Sequence, residues 1–274
     1  MKNSELTRVI SFSSGKGGVG KTNTVLNIAY ALAERGKSVL ILDGDLGLAN
    51  INVLLGMRPT FTLADFFDGL RPLTQVIEIG PMGISIIPAA SGVQSLCSLT
   101  TSQRYMLIQA VESVAYQYDY LLIDTQAGIG PEVLHFNSAS SEMCCIINAE
   151  PTSLTDAYAL IKVMSQSYGQ KEVQVIVNNV TSEQEARTAF NRISQAVDRF
   201  LHVKLRLVGI VPHDSAVREA VTRQRALMEI FPTSKAAQAI SIITDRIEAD
   251  FHSARVKGGL QFFFKQLLEV SAGG

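Results

Sequence analysis

Residues 15–22 form a glycine-rich segment that ends in lysine and threonine. This segment constrains the fold of the chain more than any other sequence feature. It reads Gly-Lys-Gly-Gly-Val-Gly-Lys-Thr and matches the pattern G-x-x-x-x-G-K-[ST]. An apolar, β-branched run at 9–12 precedes it, and 22–34 carries apolar residues at helical spacing. Glycines let backbone N–H groups converge on phosphate oxygens, and the N-terminal end of a helix adds positive charge. The sequence therefore predicts a phosphate-binding loop between a strand and a helix.

The residues of this loop and the residue after it are candidate nucleotide contacts. They are Gly15, Lys16, Gly17, Gly18, Val19, Gly20, Lys21, Thr22 and Asn23. In a loop of this type the lysine at the position of Lys21 reaches the β- and γ-phosphates, and the following hydroxyl binds Mg²⁺. We therefore predict a bound nucleotide and Mg²⁺, with Lys21 as a catalytic residue and Thr22 as a metal ligand.

The rest of the chain alternates short apolar runs with helical patterns. The strand-like runs are 9–12, 38–42, 84–87, 120–123, 143–147, 173–177 and 205–211. Continuous apolar strands between helices are typical of an α/β fold with a mostly parallel, doubly wound sheet that has helices on both faces. Gly36 is expected to end the first helix. No long Gly/Pro/Ser linker divides the chain, so we predict a single domain over 1–274.

Charge and cysteine content exclude several classes of protein. With 24 Lys+Arg against 25 Asp+Glu, the chain is not a globally basic nucleic-acid coat, and we expect no specific nucleic-acid partner. Cys97, Cys144 and Cys145 lack a spaced framework, which predicts buried, reduced thiols and a cytoplasmic location. We find neither an apolar run of about 18 residues, the length of a membrane span, nor the pattern of a secretory signal.

Two of the apolar runs are followed by carboxylates. Asp43 and Asp45 follow the second run, and Asp124 follows the fourth. Ligands bind at the carboxyl ends of the strands in doubly wound sheets, and a carboxylate there can hold Mg²⁺ or its waters. We expect one of Asp43 and Asp45 to face the metal and the other to face the attacking water. The alternative is that each acid caps a helix or a turn.

Two later runs end in residues suited to a nucleobase. Asn178 follows one of them, and its amide can pair with a purine edge. Pro212, His213 and Asp214 follow the other. A guanine-specific N-K-x-D sequence is absent, which favours ATP and ADP as the nucleotides. Asn and Pro also commonly end strands for conformational reasons alone.

Lys16 distinguishes this loop from an ordinary phosphate-binding loop, which needs only the lysine at the position of Lys21 for its own nucleotide. The order Lys-Gly-Gly-Val-Gly-Lys-Thr resembles the deviant Walker A motif of the MinD/ParA (SIMIBI) P-loop ATPases. The resemblance implies that Lys16 is a catalytic residue that crosses to a partner's nucleotide, and that ATP drives formation of a homodimer. It also implies that Asp45 positions the attacking water, that Asp43 is an outer-shell magnesium partner, and that Asp124 is the Walker B acid.

The same resemblance implies nucleotide contacts later in the chain. Asn178 and the backbone around Pro212 match positions that hold adenine in MinD-like proteins. Glu150, His213 and Asp214 complete the candidate nucleotide-binding set.

Further motifs resemble one branch of the family, the flagellar-number regulators FleN and FlhG. The matching stretches are 45–50 (DLGLAN), 124–130 (DTQAGIG) and 150–162 (EPTSLTDAYALIK). They imply control of flagellar number or placement by restraint of a FleQ-like transcription activator. Stimulation of an FlhF-like GTPase is in doubt, because the N-terminal D-Q-A-x-x-L-R element of some FlhG proteins is missing. Gln126 stands where a small residue is common.

Several other functions compete with this interpretation. A ParA/Soj-like partition ATPase would bind DNA through a basic patch, for which Arg218, Arg223 and Arg225 are candidates, although a solvated helix face with glutamates nearby explains them better. A MinD-like ATPase would position the division site, and a pure binding module would hold ATP without turnover. Iron–sulfur carriers of the same family need cysteine spacings that this chain lacks.

An amphipathic helix is predicted near the end of the chain, at about 259–270. Its apolar face consists of Leu260, Phe263, Phe264, Leu267 and Leu268. In MinD-like proteins such a helix lies on the inner membrane surface, which implies peripheral attachment. Packing of the helix on the domain is the alternative.

Overall fold

The computed structural model describes residues 7–250, apart from 94, 95, 97 and 98. Its strands are β1 (Arg8–Ser14), β2 (Val39–Gly44), β3 (Glu78–Ile79), β4 (Ser85–Ile87), β5 (Tyr120–Ala127), β6 (Glu142–Ile147), β7 (Glu172–Val180) and β8 (Lys204–Pro212). The larger helices are α1 (Lys21–Glu34), α5 (Thr101–Ala115), α6 (Pro131–Ala139), α7 (Pro151–Tyr168), α8 (Glu183–Phe200), α9 (Ser215–Thr222) and α11 (Lys235–Asp250). Shorter helices are α2 (Ile51–Leu54), α3 (Leu63–Phe67), α4 (Leu73–Val76) and α10 (Leu227–Ile230).

The strands form one eight-stranded sheet in the order β3-β4-β2-β5-β1-β6-β7-β8. Every described pairing is parallel except that of β3 with β4. The predicted fold class is therefore confirmed, and each of the seven predicted runs overlaps a strand, although 38–42 and 84–87 begin one residue before theirs. The sequence pattern did not predict β3, because two residues on an antiparallel edge carry no periodicity.

Helices cover both faces of the sheet, which explains why successive residues of the strands, and not only alternate ones, are mostly apolar. Ile10 and Ile41 point to the face that carries α1 and α11. Their neighbours Val9 and Leu40 point to the opposite face, against α5. Alternate residues of each strand are thus buried in different clusters, as the two-residue period of a strand requires.

Helix α1 begins one residue before the predicted start and ends at the predicted residue, Glu34. Its buried positions include Val25, Ile28 and Leu32, which pack against the sheet. Gly36 has a φ of 76°, the left-handed conformation that lets a glycine end a helix. The strand, loop and helix predicted from the phosphate motif are all present.

Cys144 and Cys145 are free thiols buried in β6. Burial raises the pKa of Cys145 to about 12 and raises that of Cys144 well above its ordinary value. The prediction of buried, reduced thiols is confirmed for these two residues, whereas Cys97 lies outside the described residues.

The described part of the chain contains no helix that is both long and apolar enough to cross a membrane. The predicted amphipathic helix at about 259–270 lies outside the described residues. Its packing against the domain or a membrane therefore stays a prediction.

Candidate nucleotide-binding site

The glycine-rich loop occupies 15–20, between the end of β1 and the start of α1. Gly20 immediately precedes α1 and has a φ of 87°, which side chains with a Cβ rarely adopt. A Cβ at Gly20 would also lie 2.3 Å from Nδ2 of Asn178. Both the conformation and the space at this position therefore require glycine. Because glycine has no side chain, the N–H groups in the first turn of α1 stay accessible to a ligand.

Gly15 fixes the other end of the loop. A Cβ at Gly15 would lie 2.1 Å from the backbone carbonyl carbon of Asp156, in the first turns of α7. The loop is therefore packed between the starts of two helices, α1 and α7. This contact brings the 150–162 motif beside the phosphate loop.

Lys21 and Asp124 form an ion pair at the base of the loop. Lys21 Nζ donates to Asp124 Oδ1, and the Asp124 carboxylate is completely buried. Asp124 Oδ2 is also buried, and no hydrogen-bond donor contacts it. A buried carboxylate oxygen without a partner is costly, so this atom is available to a cation or to a water bound to one.

Asp43 lies directly opposite Asp124 in the parallel pairing of β2 and β5. Its carboxylate accepts from the backbone N–H groups of Asp45 at 3.3 Å, Asn50 at 3.0 Å and Ile51 at 3.3 Å. Burial, and then the charge of Asp124, raise the pKa of Asp43 to about 7. Asp43 therefore anchors the 45–50 loop while adding a second carboxylate to the site.

These residues fit a divalent cation. Asp43 and Asp124 are both fully buried, and Lys21 is the cation paired with Asp124. Thr22, the second residue of α1, follows Lys21 at the same loop. Hydroxyl and carboxylate oxygens are the ligands that Mg²⁺ prefers, and it commonly takes only one or two from the protein. Thr22, Asp43 and Asp124 are thus candidates to hold Mg²⁺ directly or through water.

Asp45 follows the end of β2 and is half-buried. Asn50 Nδ2 donates to its Oδ2 at 3.2 Å, and Gln126 Nε2 donates to its Oδ1 at 3.0 Å. Burial is the main cause that raises the pKa of Asp45, while the hydrogen bond from Gln126 and the charge of Lys21 lower it. Sequence reasoning missed Gln126 as a partner of Asp45, although its unusual size for this position was a signal.

Lys16 lies at the solvent-exposed side of the loop, paired within its own chain. Lys16 Nζ lies 2.6 Å from Glu150 Oε2 and 3.0 Å from Thr152 Oγ1. Glu150 immediately precedes α7, and its pKa is lowered by the hydrogen bond from Lys16 and then by the charge of Lys16. Both side chains are well exposed, so the pair is weak and open to exchange.

Asn178 is brought to the phosphate loop, where its Nδ2 donates to the carbonyl of Val19 at 2.7 Å. Pro212 ends β8, and His213 Nδ1 lies 2.8 Å from Asn179 Oδ1. These residues stand at the same end of the sheet as the loop. Contact with adenine stays a prediction for each of them.

Asp214 has a structural role at the starts of two helices. Its side chain accepts from the backbone N–H of Ala216 at 2.9 Å, as the N-cap of α9, and from that of Ala236 at 3.1 Å in α11. These backbone hydrogen bonds, the one from Ala236 first, lower the pKa of Asp214. The carboxylate joins two helices, and its predicted role toward the nucleotide is untested.

A polar network beneath the loop was not predicted. Asn137 Oδ1 accepts from Ser11 Oγ at 2.8 Å and from Ser13 Oγ at 2.9 Å, and Ser13 Oγ lies 2.7 Å from Thr125 Oγ1. All four side chains are buried. Hydroxyl residues inside otherwise apolar strands were the available signal. The network ties β1, β5 and α6 together where β1 leads into the loop.

Comparison with known proteins identifies the family. A ParA model, described as NUBPL iron-transfer P-loop NTPase, matches residues 5–248. The chain belongs to the ParA/MinD family of P-loop NTPases. It is 45% identical to the Antiactivator FleN of Pseudomonas aeruginosa over 97% of this chain and 95% of that protein. It is 32% identical to the flagellum site-determining protein YlxH of Helicobacter pylori, covering 96% of this chain and 90% of the relative.

Solved structures of the ParA/MinD family share the fold. The cell division ATPase MinD of Pyrococcus furiosus is 26% identical with a TM-score of 0.75, covering 89% of this chain and 99% of that one. MinD of Pyrococcus horikoshii, solved with Mg-ADP, is 25% identical with a TM-score of 0.74, covering 92% and 100%. As a member of this family the chain is an ATP hydrolase, with 15–22 as its P-loop.

Proposed function

We propose that this ATPase is a dimerisation switch that hydrolyses ATP slowly with Mg²⁺ and thereby regulates flagellar number or placement. The observation that carries the switch is Lys16, a second P-loop lysine held by an exposed, exchangeable ion pair. The flagellar output rests on similarity to FleN and YlxH. The proposed regulator is a single domain over 1–274 that acts in the cytoplasm.

Binding of ATP begins at the loop. Backbone N–H groups of 15–20 and the first turn of α1 surround the phosphates, and Lys21 exchanges its contact with Asp124 for the β- and γ-phosphates. When bound, Mg²⁺ supplies positive charge to the phosphate oxygens. Thr22, Asp43 and Asp124 would hold the ion, directly or through water, and its charge would compensate the buried Oδ2 of Asp124.

Dimerisation follows from the release of Lys16. Its ion pair with Glu150 is solvent-exposed and contributes little to stability. A phosphate group of the ATP bound to a second copy would be a stronger partner for the Lys16 ammonium group. Two copies facing each other would each lend one Lys16. Glu150, once released, is free to contact the nucleotide, which is the role expected of it as a member of the candidate nucleotide-binding set.

Hydrolysis needs an oriented water more than a strong base, because phosphoryl transfer depends mainly on positioning and charge neutralisation. Asp45 is the proposed positioning group for that water. It lies at the end of β2, next to the strand that carries Asp124, and two amides hold it. Release of the cleaved γ-phosphate into solvent would cause the dimer to dissociate.

Lys16→Ala tests the switch and its output together. We expect the variant to bind ATP but to remain a monomer, because only the contact across the dimer is lost. In the source organism, a deletion strain that carries this variant should keep an abnormal number of flagella by electron microscopy. The wild-type gene and Lys204→Ala, an exposed lysine on the far edge strand, should both restore the number. Normal dimers from Lys16→Ala would contradict the proposal.

The expected protein partner is a transcription activator of the FleQ type, because the relative FleN is an antiactivator. An FlhF-like GTPase is a second candidate. Pull-down of a flagellar activator in ATP but not in ADP would support the output. Failure of the pull-down in both nucleotides would remove this partner while leaving the ATPase assignment intact.

Other cellular functions have less support than flagellar regulation. Arg223 pairs with Glu219, and Arg225 with Glu229 at 2.5 Å, so two of the three arginines of the candidate DNA-binding patch have a carboxylate beside them. The burial of Cys144 and Cys145 disfavours iron transfer through them. MinD-like positioning of the division site remains the nearest alternative, and examination of cell division in the deletion strain distinguishes it.

The amphipathic segment at 259–270 leads us to propose peripheral attachment to the inner membrane surface. Two copies in an ATP dimer would present two weak anchors, which bind together more strongly than one. Deletion of 259–274 should abolish ATP-dependent co-sedimentation with anionic vesicles while leaving ATP turnover unchanged. Absence of co-sedimentation by the full chain would contradict attachment.

A further inference from the structure

Gln126 connects the two segments that flank the proposed site of hydrolysis. The parallel pairing of β2 and β5 ends at Gly44 opposite Thr125. The next residues, Asp45 and Gln126, therefore leave the paired region side by side. Gln126 Nε2 donates to Asp45 Oδ1 at 3.0 Å across this gap.

The Asp45 carboxylate is held at both oxygens by neutral amides. Gln126 contacts Oδ1 from β5, and Asn50 contacts Oδ2 at 3.2 Å from the loop of Asp45 itself. Asn50 is fixed in turn, because its backbone N–H donates to Asp43 at 3.0 Å. The contact from Asn50 holds Asp45 to its own loop, and the contact from Gln126 fixes that loop relative to β5 and Asp124.

A neutral amide at position 126 holds the Asp45 carboxylate better than a small or an acidic side chain would. It donates a hydrogen bond to a carboxylate without adding a charge near Lys21 and Asp124, and each carboxylate oxygen keeps a lone pair for a further partner. A small residue at 126 would not reach Asp45. An acidic residue would place a second negative charge against the carboxylate.

We propose that Gln126 is a positioning residue that orients the Asp45 carboxylate toward the attacking water. This inference rests on the proposed role of Asp45. Gln126 acts on turnover through Asp45, by fixing the direction of its free lone pairs before ATP binds. Because Gln126 is only half-buried, we expect the fold to tolerate removal of its side chain.

The test is steady-state phosphate release from the full chain with ATP and Mg²⁺. Gln126→Ala should lower kcat about tenfold, the loss expected for one hydrogen bond to a charged acceptor, with KM nearly unchanged. Gln126→Glu should lower kcat further at pH 8, because a second carboxylate would face that of Asp45. Gln184→Ala, an exposed glutamine in α8, is the matched control and should turn over normally.

A double-mutant cycle separates this role from a general structural one. In an Asp45→Ala background, Gln126→Ala should cause no further fall in kcat, because its partner is already gone. An unchanged or raised kcat for Gln126→Ala alone would overturn the inference, as would an equal fall in both backgrounds. Normal turnover of Asp45→Ala would instead overturn the proposed role of Asp45, so the two failures are distinguishable.

Discussion

Lys21→Ala loses ATP binding. Lys21 is the loop lysine, and its ammonium group is positioned at the base of the P-loop beside the buried Asp124. Charge-assisted contacts with phosphate are among the strongest hydrogen bonds, so we expect the Kd for ATP to rise at least about 100-fold, which corresponds to about 2.8 kcal/mol. Isothermal calorimetry measures this directly.

The same substitution should also destabilise the nucleotide-free protein. Removal of one partner leaves the Asp124 carboxylate buried without a cation, which typically costs about 3–5 kcal/mol. Binding is therefore measured at a temperature well below the melting transition. Lys204→Ala is the control, since it removes an exposed lysine far from the loop. Undiminished ATP affinity in Lys21→Ala would remove Lys21 from the site.

Asp45→Ala separates binding from turnover. The loop, Lys21 and Asp124 are unchanged in this variant, so ATP should bind with nearly wild-type affinity. Loss of the group that positions the water should slow phosphate release by about 100-fold or more, the range found for groups that act on the transition state. Because hydrolysis ends the ATP state, dimers should accumulate.

Phosphate release and light scattering on one sample measure both effects. Asp68→Ala, an exposed aspartate after α3, controls for the loss of a negative charge and should behave like the wild type. A normal turnover rate in Asp45→Ala would show that another group orients the water. Slow turnover without dimers would show that hydrolysis and assembly are not linked.

Local sequence patterns predicted the βα unit around the P-loop closely. The apolar, β-branched run of β1, the glycines and the helical spacing of α1 are all features of neighbouring residues. The short helices α2, α3 and α4 were not predicted, since four or five residues are too few for a helical period to emerge. Their positions depend on packing against the sheet edge.

The contacts of the candidate site could be predicted only in part. The sequence placed Asp43 and Asp124 at the ends of two strands, but both lie within strands that continue further. Their direct opposition depends on the register between β2 and β5, which no local pattern records. The Asp45–Gln126 contact and the Lys16–Glu150 pair join residues 81 and 134 positions apart, so only the folded chain shows them.

Light scattering of the Asp45→Ala variant with Mg²⁺ tests the switch most directly, because blocked turnover leaves the nucleotide state fixed. Samples without nucleotide, with ADP and with ATP are compared at equal protein concentration. The switch predicts a monomer in the first two samples and a dimer with ATP, and a monomer again when Lys16→Ala is added to the variant. The same mass in all three samples would contradict it.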